Sequence, residues 1–109
     1  MTDKIVVLVT CGSEHEAARL AHALVEERLA ACVNVHASPV RSVYRWKGKV
    51  EQADERLLMI KTTQERLGAL TLRITELHAY EVPEVLVLSV EDGADRYLDW
   101  LAENARATG

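Results

Sequence analysis

The stretch ELHAYEVPEVLVL at residues 76–88 joins a helix-like segment to an apolar, strand-like run, VLVL. Between the two stand His78, Tyr80, Glu81, Pro83 and Glu84. A plain connector would use Gly, Asn, Asp or Ser, so a turn carrying an imidazole, a phenol and several carboxylates needs a reason. Three reasons are open: a binding site, a seam between subunits, or a helix cap. Pro83 has no N–H to donate, which suits the first residue of a strand and holds Val82 extended.

The segment before this junction repeats apolar residues at helical spacing, Leu67, Leu70, Ile74 and Leu77, and Thr62-x-x-Glu65 reads as its capping box. Further upstream, residues 40–46 read as a strand and Lys47-Gly48-Lys49 as a hairpin turn into a third strand ending LLMIKT. Residues 32–35 begin the second strand, and residues 4–10, built on IVVLV, form the first. Between them S-E-H-E at residues 13–16 is a capping box, followed by the stripe Ala17, Leu20, Ala21, Leu24 and Val25. Residues 94–106 form a last helix with Leu98, Leu101 and Ala105 on one face. The order is β-α-β-β-α-β plus a terminal helix. That is the split βαβ, ferredoxin-like α+β sandwich, with two helices on one face of an antiparallel sheet. The 109 residues make one domain, 1–109.

The strand cores IVVLV, LLMI and VLVL are continuous apolar runs, whereas a strand with one wet face should alternate. Two helices cover one face only, so the other needs a cover that the terminal helix can supply only in part. A second copy of the chain is the simplest one, and a homo-oligomer is expected.

Hydrophobic residues make up 49% and charged residues 28%, which places the chain among globular proteins. Its net charge of −4, with no Lys/Arg block, speaks against nucleic acid as a partner. The first apolar run is too short for a membrane span or a signal-peptide core, and the two cysteines, Cys11 and Cys32, form no disulfide framework. A cytoplasmic location is expected, with no membrane partner. No Walker loop, GxGxxG or Ser/His/Asp set is present, so no enzyme activity and no catalytic residues are expected.

Of the histidines, His15 and His22 lie off the apolar stripe of the first helix, and His36 has no assignable role. His78 ends the second helix, where an imidazole can bond the last carbonyls and favour the helix dipole. A metal reading pairs it with Cys11, just past the first strand. Thiolate and imidazole suit Cu(I) or Zn(II), although two ligands fall short of a closed site. Tyr44 and Trp46 share a strand face, and Glu55 and Lys61 flank LLMI, as interface or ligand residues would.

The strings LAACVNV (29–35), SVYRWKG (42–48), KTT (61–63), HAYEVPE (78–84) and YLDW (97–100) resemble the CutA family of divalent-cation tolerance proteins. The resemblance runs from Ile5 to about Trp100. It implies a ferredoxin-like subunit in a homotrimer of PII-like architecture, with the long hairpin reaching over a neighbour. It also implies copper or another divalent cation as the bound ion rather than an obligatory cofactor. Within it, Cys11 and His78 fall at the family's metal region. Tyr44, Trp46, Glu55, Lys61, Tyr80 and Glu84 would line an intersubunit cleft. Ala79 stands in place of the usual proline. Leu77 stands where copper-binding members have a second histidine, so weaker copper binding is expected. A PII-like trimer sensing a small molecule in the cleft, and a scaffold presenting surfaces to partners, are the alternatives.

Overall fold

The computed structural model describes residues 1–107; residues 108 and 109, which the reading above includes in the single domain, lie outside the described residues. The chain runs β1 (Lys4–Cys11), α1 (Glu14–Glu26), β2 (Cys32–Val35), β3 (Val40–Trp46), β4 (Lys49–Thr63), α2 (Leu67–Leu77), β5 (Leu86–Ser89) and α3 (Asp95–Asn104). All strand pairs are antiparallel, in the order β2-β4-β1-β5, with β3 on the outer half of β4. This is the expected ferredoxin-like α+β arrangement.

The core follows from strand alternation. Ile5, Val7, Val9 and Cys11 of β1 and Leu58 and Ile60 of β4 turn to one face. There they meet Ala17, Leu20 and Leu24 of α1 and Leu70 and Ile74 of α2. The opposite face carries Val6, Leu8, Leu57 and Met59, all half-buried, and Leu86 and Leu88 of β5, which are exposed. The apolar runs are therefore two-sided, and within one chain the second face is left largely open. The terminal helix contributes a separate small cluster, Leu101 and Ala105 with Ala31. The Arg28 guanidinium ties down its end by donating to the carbonyls of Glu103 and Arg106 at 2.6 and 2.7 Å.

β4 is fifteen residues long, and only its second half lies in the body. Residues 49–55 pair with β3 alone, through a two-residue turn at Lys47-Gly48 with φ values of 51° and 81°. Two positive φ angles are the signature of a type I′ turn, whose twist matches the strands it joins. The hairpin projects, and the chain measures 44 × 26 × 24 Å.

Two local expectations are corrected. Thr62 is no helix cap. It is fully buried in β4, and its hydroxyl donates to the Leu29 carbonyl at 2.7 Å. The chain leaves β4 through a short 3₁₀ turn, Gln64–Arg66, and α2 starts at Leu67 with no side-chain cap. Pro83 does not open β5, which begins three residues later at Leu86.

Removing the Thr62 hydroxyl should cost strand packing rather than helix. Thr62→Val is expected to lower the free energy of unfolding by about 1–3 kcal/mol, the range for orphaning a buried partner. Helical circular dichroism should be unchanged; selective loss of helix would return Thr62 to a capping role.

Candidate functional site

The 78–84 turn, the end of β1 and the root of the β3–β4 hairpin enclose a cleft of about 790 Å³. Glu55 sits at this root. It is the first residue of β4 beyond the β1 ladder, which ends at Cys11 opposite Arg56, and it pairs with Val40 of β3. Around it stand Thr10, Ser42, Tyr44, Trp46, Tyr80, Glu81, Pro83 and Glu84. Five of the six expected cleft residues thus come together in one chain: Tyr44, Trp46, Glu55, Tyr80 and Glu84. Lys61 does not. It lies six residues along β4, about 20 Å away at strand rise, with its ammonium on Asn34.

His78 and Cys11 lie behind the wall rather than in it. His78 is the C-cap of α2, its backbone N–H bonded to Ile74 at 2.8 Å. Its ring does not return to the helix carbonyls. Nε2 meets the Thr10 carbonyl at 2.7 Å, and Nδ1 meets the Tyr80 N–H at 3.0 Å. A carbonyl can only accept and an amide N–H can only donate, so this pair of bonds requires the neutral ring with its proton on Nε2. Both nitrogens, the two atoms a metal could use, are engaged within the fold. Cys11 is fully buried, and burial, with the charges of Glu16 and Glu55 behind it, pushes its thiol up to about 12. Among the described residues no group of three or more His, Cys, Asp or Glu side chains could hold a metal ion.

The residue that sequence reasoning missed is Glu16. Ser13 does cap α1, accepting from the Glu16 N–H at 3.1 Å. The Glu16 carboxylate does not bond back to Ser13, as a capping box would have it. It accepts from the N–H of Gly12 at 3.2 Å and of Ala79 at 2.7 Å, and so binds the turn after α2 to the end of β1. The S-E-H-E motif marked this residue, but its local use hid the long-range one. Next to it, a Cβ on Gly12 would come within 3.2 Å of the Tyr80 hydroxyl, so glycine lets the phenol lie against the backbone.

That phenol donates to Glu55 Oε2 at 2.7 Å, and its ring packs on His78 with centroids 4.7 Å apart. Burial first, then the bond to Glu55, raises its ionisation well above the ordinary tyrosine value. It acts as a hydrogen-bond donor, not a base. Burial also raises the Glu84 carboxyl, and the nearby charge of Glu55 adds to the rise. Neither Glu55 nor Glu84 forms an ion pair among the described residues.

The architecture and the cleft define a ferredoxin-like α+β domain with a prolonged hairpin and an acidic, aromatic-walled pocket at its root. The chain belongs to the CutA1 divalent ion tolerance protein family, whose family model matches residues 5–104. It is 50% identical over 99 residues to the divalent-cation tolerance protein CutA of Thermus thermophilus, covering 91% of this chain and 95% of that one. The solved structure of the Thermus protein superposes with a TM-score of 0.90 at 48% identity, covering 93% and 97% of the two chains. The chloroplastic CutA protein of Arabidopsis thaliana is 45% identical over 102 residues, 94% of this chain; this chain spans only 56% of that longer protein. A structure from Archaeoglobus fulgidus, described as a periplasmic divalent cation tolerance protein, matches with a TM-score of 0.91 at 33% identity over 94% and 99% of the chains.

Two outcomes follow from this wiring. Glu16→Ala should destabilise the fold by about 1–2 kcal/mol, since it removes two charge-assisted hydrogen bonds whose exposed donors water can then reach. Glu16→Gln, which keeps an acceptor, should cost about half as much in the same denaturant titration. Cys11 should resist iodoacetamide at pH 8 in the folded protein and react once urea exposes it, because the thiol is far from ionised at that pH. Labelling of native Cys11 at the unfolded rate would contradict its burial.

Proposed function

We propose that this chain works as a homotrimeric divalent-cation-binding protein, without catalytic activity, whose three clefts hold the ion on the carboxylates of Glu55 and Glu84. The observation that carries the proposal is that these two carboxylates line one cleft with no basic residue in its lining and no ion pair among the described residues. A divalent cation removes the repulsion that the pair otherwise bears. His78 and Cys11 act as structural supports of the wall, because their polar atoms are already engaged or sealed.

The trimer is supported by the open second face of the sheet and by the projecting hairpin. Val43 and Val50, on the hairpin face opposite to Tyr44 and Trp46, and Leu86–Leu88 on β5 are all exposed in the single chain. Obligate interfaces commonly bury about 2,000 Å² or more. A neighbour's hairpin laid across the second face closes the cleft from above and makes it intersubunit. Light scattering at micromolar concentration should give three times the 12.2 kDa chain mass. A stable folded monomer would remove this part of the proposal. A cytoplasmic location is supported by the free state of both cysteines. No helix among the described residues is long and apolar enough to cross a membrane.

Oxygen ligands accept many divalent ions, and among transition metals copper should bind most tightly by the usual stability order. Binding has a defined pH dependence. The raised Glu84 carboxyl takes up a proton at higher pH than an ordinary glutamate, so cation affinity should begin to fall, as pH is lowered, above the usual carboxylate range. The sign for stability is opposite. A carboxyl raised by folding favours the fold when protonated and burdens it when charged. Glu84→Gln should therefore raise the melting temperature of the cation-free protein at neutral pH and abolish the further rise that manganese or copper produces in the parent. Calorimetric copper titration of the parent, Glu55→Gln, Glu84→Gln, His78→Ala and Cys11→Ser separates the sites. Loss of binding confined to the His78 and Cys11 variants would move the ion to imidazole and thiolate and overturn the carboxylate reading.

A further inference from the structure

The cleft is far larger than a metal ion requires. Six water molecules around a cation occupy about 180 Å³ at liquid volume, against about 790 Å³ here. Its walls are also wrong for a bare ion. Tyr44 and Trp46 are 43% and 40% exposed, and Tyr80 is 36% exposed, so three large aromatic rings line space open to a ligand. No Lys or Arg lines the cleft. The Trp46 ring already shows the contact it can make: the Lys47 ammonium stands 5.8 Å from its centroid. Aromatic faces attract a cation through their quadrupole, most strongly when the cation is desolvated. Glu55, 8% exposed, Glu84 and Ser42 share this lining with the rings.

We infer that the cleft is a receptor for an organic cation, an ammonium or guanidinium group on a short alkyl chain. The alkyl part lies on the rings, and the charged nitrogens donate to Glu55 and Glu84. The inference rests on the cleft being the ligand site and adds the ligand's chemical class. An organic cation needs no convergent inner-sphere ligands. It needs a shaped cavity, aromatic faces and acceptors, and these are what the cleft provides. Two carboxylates favour a diammonium over a monoammonium. The Tyr80 hydroxyl, spent on one oxygen of Glu55, fixes that carboxylate and leaves its other oxygen for the ligand. Charge selection comes from the acidic lining, and exclusion of anionic metabolites comes with it.

The test is calorimetric titration of the full chain, in its native oligomer, with 1,4-diaminobutane, with the neutral 1,4-butanediol, and with manganese chloride. The diamine should bind saturably and the diol should not. Trp46→Leu should weaken the diamine about tenfold, the scale of a desolvated cation–π contact, while Trp46→Phe keeps most of the affinity; manganese binding should be unchanged in both. Sedimentation of each variant establishes that assembly is intact. Glu84→Gln should weaken diamine and manganese alike. Manganese binding with no diamine binding overturns this inference and leaves the cation-binding reading standing. Equal binding of diamine and diol overturns charge recognition, and binding of neither diamine nor manganese overturns both readings together.

Discussion

The β1–β4 ladder is the constraint on which the rest of the molecule depends. Eight residues of β1 pair with the inner half of β4, from Lys4 opposite Thr63 to Cys11 opposite Arg56. Alternation along this ladder sends Ile5, Val7, Val9, Leu58 and Ile60 into the core and fixes which face α1 and α2 must cover. The two strands differ in length, and that difference creates the site. Where β1 stops, β4 continues for seven more residues with only β3 beside it. A step opens in the sheet, and Glu55 is the first side chain on its far side. The aromatic residues of β3 form one wall of the step and the 78–84 turn forms the other.

The turn must then be held without a regular hydrogen-bond ladder. The polar groups of an irregular segment cannot be left unpaired without cost, and here they are met from a distance. Ala79 N–H goes to Glu16 on α1, Tyr80 N–H goes to His78, and His78 goes on to Thr10 of β1. The Tyr80 hydroxyl ends the chain on Glu55. A Gly- or Asn-rich turn would close on itself and leave the end of β1 without these polar ties to α1 and α2. The imidazole, the phenol and the remote carboxylate instead bind three elements to one another and fix the position of the carboxylate in the cleft. The unusual composition of residues 76–88 is therefore structural first: His78 and Tyr80 hold the wall by hydrogen bonds, and Tyr80 and Glu84 line the cleft.

Much of the fold was legible because its signals are periodic. The Leu67–Leu77 stripe, the strand runs and the Lys47-Gly48 turn each report a local preference that packing reinforces. Two-sided apolar strands also pointed to an open second face, and Leu86 and Leu88 are indeed left exposed in one chain. Two misreadings share one physical cause, the long-range hydrogen bond. Thr62 looked like a cap from its neighbours, but it bonds Leu29, thirty-three residues away. Glu16 satisfied a local motif while its carboxylate reached Ala79, sixty-three residues away. Lys61 flanks the same apolar run as Glu55 but stands at its other end, outside the part of the cleft that one chain forms. Aromatic and acidic residues of the cleft were found together because hairpin register and the turn after α2 are both set locally.

The electrostatics of the cleft bear on what it can hold. Burial alone makes a carboxylate costly, and a second carboxylate in the same pocket adds to that cost. A chain selected only for stability would replace one of them or bring Lys61 to them; here Lys61 lies at the other end of the strand, and Glu84 carries the burden as a raised carboxyl. On the cation-binding proposal, a pair of carboxylates inside a cavity that the ladder already provides gives up part of that cost when a positive charge enters. A metal ion relieves it through the oxygens alone. An ammonium with an alkyl body relieves it and also covers the tyrosine and tryptophan faces, which a hydrated ion leaves wet. The balance between these two ligands is therefore set by the aromatic walls and not by the carboxylates, and relatives that keep the acids but change residues 44 and 46 should differ in ligand class while sharing the fold.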